Sequence, residues 1–178
     1  MTIQELFDLH GRVAIVTGGA THLGRAMASA LGELGAFVAI ASRRLDLCER
    51  VAAEMRGSGI DCVGLRCDVT SEDEINSLVE GVVGERGRLD VMVCSAGGSA
   101  ASPTYIPHGS ADEFMRTFEL NTKGVYLCAQ AAARAMIPQR SGSISPWARF
   151  TASSAVTSAS TTAWTFAGGE RRTRRPRA

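Results

Sequence analysis

The chain has 178 residues, 45% of them apolar and 21% charged, with a formal net charge of +1. This is the composition of a soluble globular protein with one sizeable core, and the length leaves no room for two ordinary domains. No apolar run approaches the ~18 residues a membrane span needs, and the acid-bearing start "MTIQELFDLHGR" is not a secretory signal.

After that start the chain alternates short apolar runs with longer amphipathic stretches. "RVAIVT" (12–17), "AFVAIA" (36–41), "DCVGL" (61–65) and "LDVMVC" (89–94) are apolar on both faces, as strands buried in a parallel sheet are. Between them, residues 24–35, 44–59 and 72–87 repeat apolar residues at helical spacing and end in glycine. Ser71 is the predicted N-cap of the third, ahead of acids that suit the helix dipole. Residues 110–139 read as one long helix stopped by Pro138. Repeated βαβ units predict an α/β fold, a doubly wound, Rossmann-like parallel sheet.

A fifth strand is due at Gly142, but the apolar period is lost there. Residues 1–145 hold 13 Lys/Arg against 17 Asp/Glu, whereas residues 146–178 hold six arginines against Glu170 alone. The expected organisation is therefore a partial dinucleotide-binding domain over 1–145 and a low-complexity, arginine-rich, poorly structured tail over 146–178. The sheet is expected to be incomplete after the fourth or fifth strand. That leaves a sheet edge and one face of the long helix exposed, a recipe for marginal stability or aggregation.

The five cysteines, Cys48, Cys62, Cys67, Cys94 and Cys128, are scattered through apolar runs and fit no zinc spacing. They read as free buried thiols in a reducing compartment, so the expected location is cytoplasmic and no metal site is expected.

Chemistry concentrates where strands end. In "VTGGATHLG" a buried strand feeds a helix through Gly18, Gly19 and Gly24. Glycines there let the backbone approach a pyrophosphate, and the helix N-terminus offers N–H groups to it. The spacing is T-G-x-x-x-H-x-G rather than G-x-G-x-x-G. The second strand ends in Ser42, Arg43 and Arg44 with no carboxylate. A guanidinium there suits a ribose 2′-phosphate, which favours NADP(H) over NAD(H), with Arg43 as the contact and Arg44 at the surface.

"LRCDVT" closes the third strand with Asp68 and Val69, "VMVCSAGG" closes the fourth with Ser95, Ala96 and Gly97, and "FELNTKGVYLC" carries Asn121. As a set, from about Leu6 to Ile144, these motifs resemble the short-chain dehydrogenase/reductase family. Within it they look most like the sugar-acid and polyol dehydrogenases, with 3-oxoacyl reductases close behind. The resemblance implies a cofactor site at Thr17, Gly18, His22, Leu23, Gly24, Ser42, Arg43, Asp68, Val69, Ser95, Ala96 and Gly97. It assigns an adenine contact to Asp68. It implies that Asn121, through its backbone, helps hold a water in the proton path to the catalytic lysine. Two departures stand out. His22 replaces a usual glycine, which narrows the approach to the phosphates while supplying a donor, and Cys94-Ser95 replaces a pair of asparagines.

The family transfers hydride between the nicotinamide and a carbonyl or alcohol carbon, using a Tyr-x-x-x-Lys pair after the fifth strand. No such pair occurs in this chain: the tyrosines are Tyr105 and Tyr126, and the one lysine is Lys123. Tyr105 sits in a loop without a basic neighbour, Ser153 and Ser154 fall in a Ser/Thr run, and arginine cannot replace the lysine as a tuned proton relay. The expectation is an NADP-dependent oxidoreductase by descent, truncated before its catalytic pair and inactive as written, through a change of reading frame near Ile144. A small carbonyl or alcohol is the family's substrate and a homo-oligomer its usual state. The alternative is a non-catalytic NADP(H)-binding module or redox sensor. The terminal arginines have no supporting nucleic-acid-binding motif, so neither nucleic acid nor membrane is expected as a partner.

Overall fold

The computed structural model describes residue 2 and residues 6–98 and 110–147. Five strands, β1 (Val13–Thr17), β2 (Phe37–Ser42), β3 (Cys62–Arg66), β4 (Val91–Cys94) and β5 (Ser143–Pro146), form one sheet in the order β3-β2-β1-β4-β5. Every neighbouring pair is parallel. Around it stand α1 (His22–Glu33), α2 (Leu45–Gly57), α3 (Glu72–Arg86), α4 (Ala111–Phe118) and α5 (Gly124–Gln139).

The two-residue period of the strands divides the core. Val13, Ile15, Phe37 and Ala39 pack on one face with Ile75, Leu78 and Val82 of α3 and Leu127, Ala131 and Met136 of α5. Ala14, Val16, Val38 and Ile40 pack on the other with Ala28 of α1 and Val51, Ala52 and Met55 of α2. Burial on both faces is why these strands read as unbroken apolar runs. All five cysteines are free and buried. Burial pushes the Cys62 thiol up to about 11 and the Cys67 thiol, beside Glu74 and Asp68, up to about 12.

Two side chains fasten the sheet at the strand starts. The Asp90 carboxylate, 6% exposed, accepts from Arg12, from both ends of the Arg88 guanidinium and from the Val13 N–H. Gln139, at the end of α5, accepts from the Leu89 N–H at 2.9 Å and donates to the Leu89 carbonyl at 2.7 Å.

The structure corrects the reading of residues 110–147 in one place, a π turn within the long helix. The fifth strand due at Gly142 forms as β5, which pairs with β4 from Val91↔Ser143 to Cys94↔Pro146. Ile144 packs on the core, and Pro146, without an N–H, stands at the sheet's edge, where a missing donor is tolerated. The long helix is interrupted by one π turn at Glu119–Lys123. The helix ends where the sequence has it, at Gln139, one residue beyond Pro138, and closes on Arg140 in a left-handed conformation (φ 54°). The expected exposed face is real: α4 buries none of its residues, and Phe114, Met115 and Phe118 stand in solvent, with the two rings stacked 6.4 Å apart.

Candidate functional site

The strand order reverses between β1 and β4, so their carboxyl ends open a crevice, the place where sheets of this kind bind ligands. Thr17 builds its floor. The residue is 1% exposed, and its carbonyl accepts from the Ser95 N–H at 3.1 Å. Its hydroxyl donates to the Val93 carbonyl and accepts from the Ala96 N–H, each at 3.4 Å. Thr17 therefore joins the two loops from below.

Above it the chain turns through Gly18 at φ +72°, a conformation that favours glycine. A Cβ there would lie 2.7 Å from the Ser95 carbonyl oxygen and 2.8 Å from the Ala96 nitrogen. Gly24, buried in the first turn of α1, faces Gly18 so closely that a Cβ would sit 2.3 Å from its carbonyl oxygen. The glycines thus bring the β1 turn, the β4 loop and the start of α1 into direct contact. His22 and Leu23 open the helix on its exposed side, and the N-cap Thr21 makes no side-chain capping bond. No acid lies in the first turn of α1. Free N–H groups and the positive end of the dipole therefore face the crevice without a competing carboxylate.

One flank of the crevice is formed by the ends of β2 and β3. Arg43 and Arg44 are both exposed. The Ser42 hydroxyl is engaged locally, accepting from the Arg44 N–H at 3.2 Å and lying 3.1 Å from the Cys48 sulfur. Partial burial raises the Asp68 carboxyl, but the bonds from the Thr70 N–H and hydroxyl and the nearby Arg43 and Arg66 outweigh it and hold it below the usual carboxylate value. Arg43 and Asp68 thus share one electrostatic neighbourhood at the mouth of the crevice. Glu74 ties the start of α3 to this corner by accepting from the Asp68 N–H and from Arg66. Val69 is buried against Gly124, where a Cβ would lie 3.0 Å from it.

Asn121 completes the crevice from the π turn. Its side chain, 4% exposed, holds Gly98 by two hydrogen bonds and also donates to the Thr117 carbonyl at 2.8 Å. The sequence suggested a backbone role for this residue; the clamp made by its side chain was missed, because nothing in the spacing of residues 98 and 121 reveals it. Gly97 is exposed beside it. Tyr105, Ser153 and Ser154 lie outside the described residues. A groove of about 450 Å³ between β3 and α3 contains none of the predicted site residues, and Asp73, Glu74 and Glu85 along it disfavour a phosphate.

The crevice fits a dinucleotide on its own geometry: a close backbone cradle at Gly18 and Gly24, an uncapped helix start, and a guanidinium at the end of β2. The sequence profile described as short chain dehydrogenase matches residues 12–157, past the Ile144 at which the resemblance was expected to end. The chain belongs to the short chain dehydrogenase family. It is 38% identical over 142 residues to secoisolariciresinol dehydrogenase of Forsythia intermedia, covering 76% of this chain and 48% of that protein. It is likewise 38% identical over 136 residues to (+)-borneol dehydrogenase 2 of Salvia officinalis, covering 76% of this chain and 48% of the relative. Among solved structures, a short-chain type dehydrogenase/reductase from Mycobacterium marinum superposes with a TM-score of 0.77 at 41% identity, covering 81% of this chain and 58% of that one. The chain spans about half the length of the curated relatives it matches. No described helix is long and apolar enough to cross a membrane.

Proposed function

We propose that this chain is the coenzyme-holding part of an NADP(H)-dependent oxidoreductase acting on a small carbonyl or alcohol. The observation that carries the proposal is the contact of Gly18 with Ser95, Ala96 and Gly24, too close for any β-carbon, which brings the backbone of the β1 turn and the start of α1 together at the β1/β4 crevice. Gly18, Leu23 and Gly24 would hold the pyrophosphate, Asp68 the adenine, and Arg43 the 2′-phosphate, with Ser95, Ala96 and Gly97 lining the path toward the nicotinamide. The relatives named as dehydrogenases of borneol and secoisolariciresinol support an alcohol or its ketone as substrate.

The nicotinamide supplies the hydride chemistry when bound. This chain's residues position it: Thr17 and Asn121 hold the backbone at Ala96 and Gly98, so Ala96 and Gly97 present a fixed edge. The proton step needs an acid–base pair that this sequence does not hold, since no Tyr-x-x-x-Lys occurs in it. By itself the chain therefore binds coenzyme without turning it over.

Calorimetric titration of the purified protein with NADPH and NADH, followed by an assay on a panel of carbonyls and alcohols, tests this. Binding with a preference for NADPH and no turnover is expected. Failure to bind either nucleotide overturns the coenzyme reading, and turnover at enzymatic rates overturns the claim that the acid–base pair is lacking.

A further inference from the structure

Among the described residues, only two other than glycine take a positive φ. Arg140, at 54°, closes α5, where a left-handed residue is the ordinary helix ending. His22, at 45°, has no such excuse, because it opens α1. A residue with a β-carbon is uncommon in the left-handed region and costs free energy there, although His, like Asn and Asp, enters it more often than most. Strain of this kind persists where the surroundings impose it, and it gathers at ligand-gripping turns.

The surroundings of His22 are the Gly18–Gly24 contact, which fixes the backbone on either side of it. The ring lies on the exposed side of the turn and forms no hydrogen bond with any described residue. The same turn exposes the uncapped helix start. An imidazole carries at least one ring N–H in either protonation state, so it can always donate to an anion.

The geometry points to His22 as a side-chain ligand of the coenzyme's pyrophosphate, a donor added beside the backbone N–H groups and retained despite a strained φ. This rests on the proposed coenzyme site. It makes an opposed pair of effects the signature of the residue. Removing the side chain should relieve the backbone and loosen the nucleotide together, whereas a residue that is merely tolerated should relieve the backbone and leave or improve binding.

The experiment compares wild type with His22→Gly and His22→Phe by thermal melting without ligand and by calorimetric titration. His22→Gly should melt higher than wild type and bind NADPH about tenfold more weakly, the loss of roughly one charge-assisted hydrogen bond. His22→Phe, which keeps a ring and the strain but has no donor, should show the same loss of affinity without the gain in melting temperature. Adenosine 2′-monophosphate, which carries neither phosphate of the pyrophosphate, should bind all three proteins equally. Wild-type binding of NADPH that His22→Gly leaves unchanged or tightens overturns this inference alone. A folded wild-type protein that binds neither NADPH nor NADH overturns the coenzyme reading and this inference with it.

Discussion

Asn121 and Gly98 hold each other through two hydrogen bonds: the Gly98 N–H donates to Asn121 Oδ1 at 3.1 Å, and Asn121 Nδ2 donates to the Gly98 carbonyl at 2.7 Å. The pair links Gly98, at the end of the described segment after β4, to the π turn that interrupts the long helix. Replacement by alanine strands two backbone groups of Gly98 and a helix carbonyl. Asn121→Ala should therefore cost about 2 kcal/mol of stability, read as a lowered urea midpoint, and should weaken NADPH binding because the crevice edge is no longer fixed. Unchanged stability would show that water replaces the clamp.

The Asp90 cluster gives a pH dependence. Burial raises this carboxyl, but Arg88, the Val13 N–H and Arg12 together hold it below its ordinary 3.8. A carboxyl depressed on folding contributes stability above the unfolded value and loses it as the pH falls through the folded one. Stability should fall from about pH 4 downward, and Asp90→Asn should flatten that decline. At neutral pH the same change should cost about 1–2 kcal/mol, since both arginines keep a third or more of their surface in water. Urea denaturation of both proteins between pH 3 and 7 checks both points.

Arg43 is exposed at the end of β2 and close enough to Asp68 to lower its carboxyl. Arg43→Asp should weaken NADPH about tenfold or more by removing a guanidinium–phosphate bond and adding a repelling charge. NADH should gain, because the new carboxylate can accept from the 2′-hydroxyl. Competitive titration of the two nucleotides reads the ratio directly; an unchanged ratio would remove Arg43 from the site.

Much of this site is legible in the sequence, and the reason is physical. Strands buried on both faces leave unbroken apolar runs, and a backbone that must approach another backbone leaves glycine, so β1 to β4 and the Gly18–Gly24 turn can be read directly. The fifth strand could not be read this way. An edge strand needs one ladder and little apolar surface, and "SISP" offers only Ile144 to the core while ending in a proline. Nor does residue type disclose a backbone angle: "THLG" gives no sign that His22 turns left-handed. The Asn121 and Gln139 clamps join residues far apart in the chain, and a lone polar residue in a helical stretch reads as surface until its partner is placed.

Hydrogen–deuterium exchange of the protein with and without NADPH tests the central claim most directly, because it locates the nucleotide on the chain. The account predicts protection of amides at residues 18–24 and 95–98, and loss of that protection in Gly24→Ala, whose Cβ would press on the Gly18 carbonyl. Protection confined to the groove between β3 and α3, or none at saturating nucleotide, would contradict it.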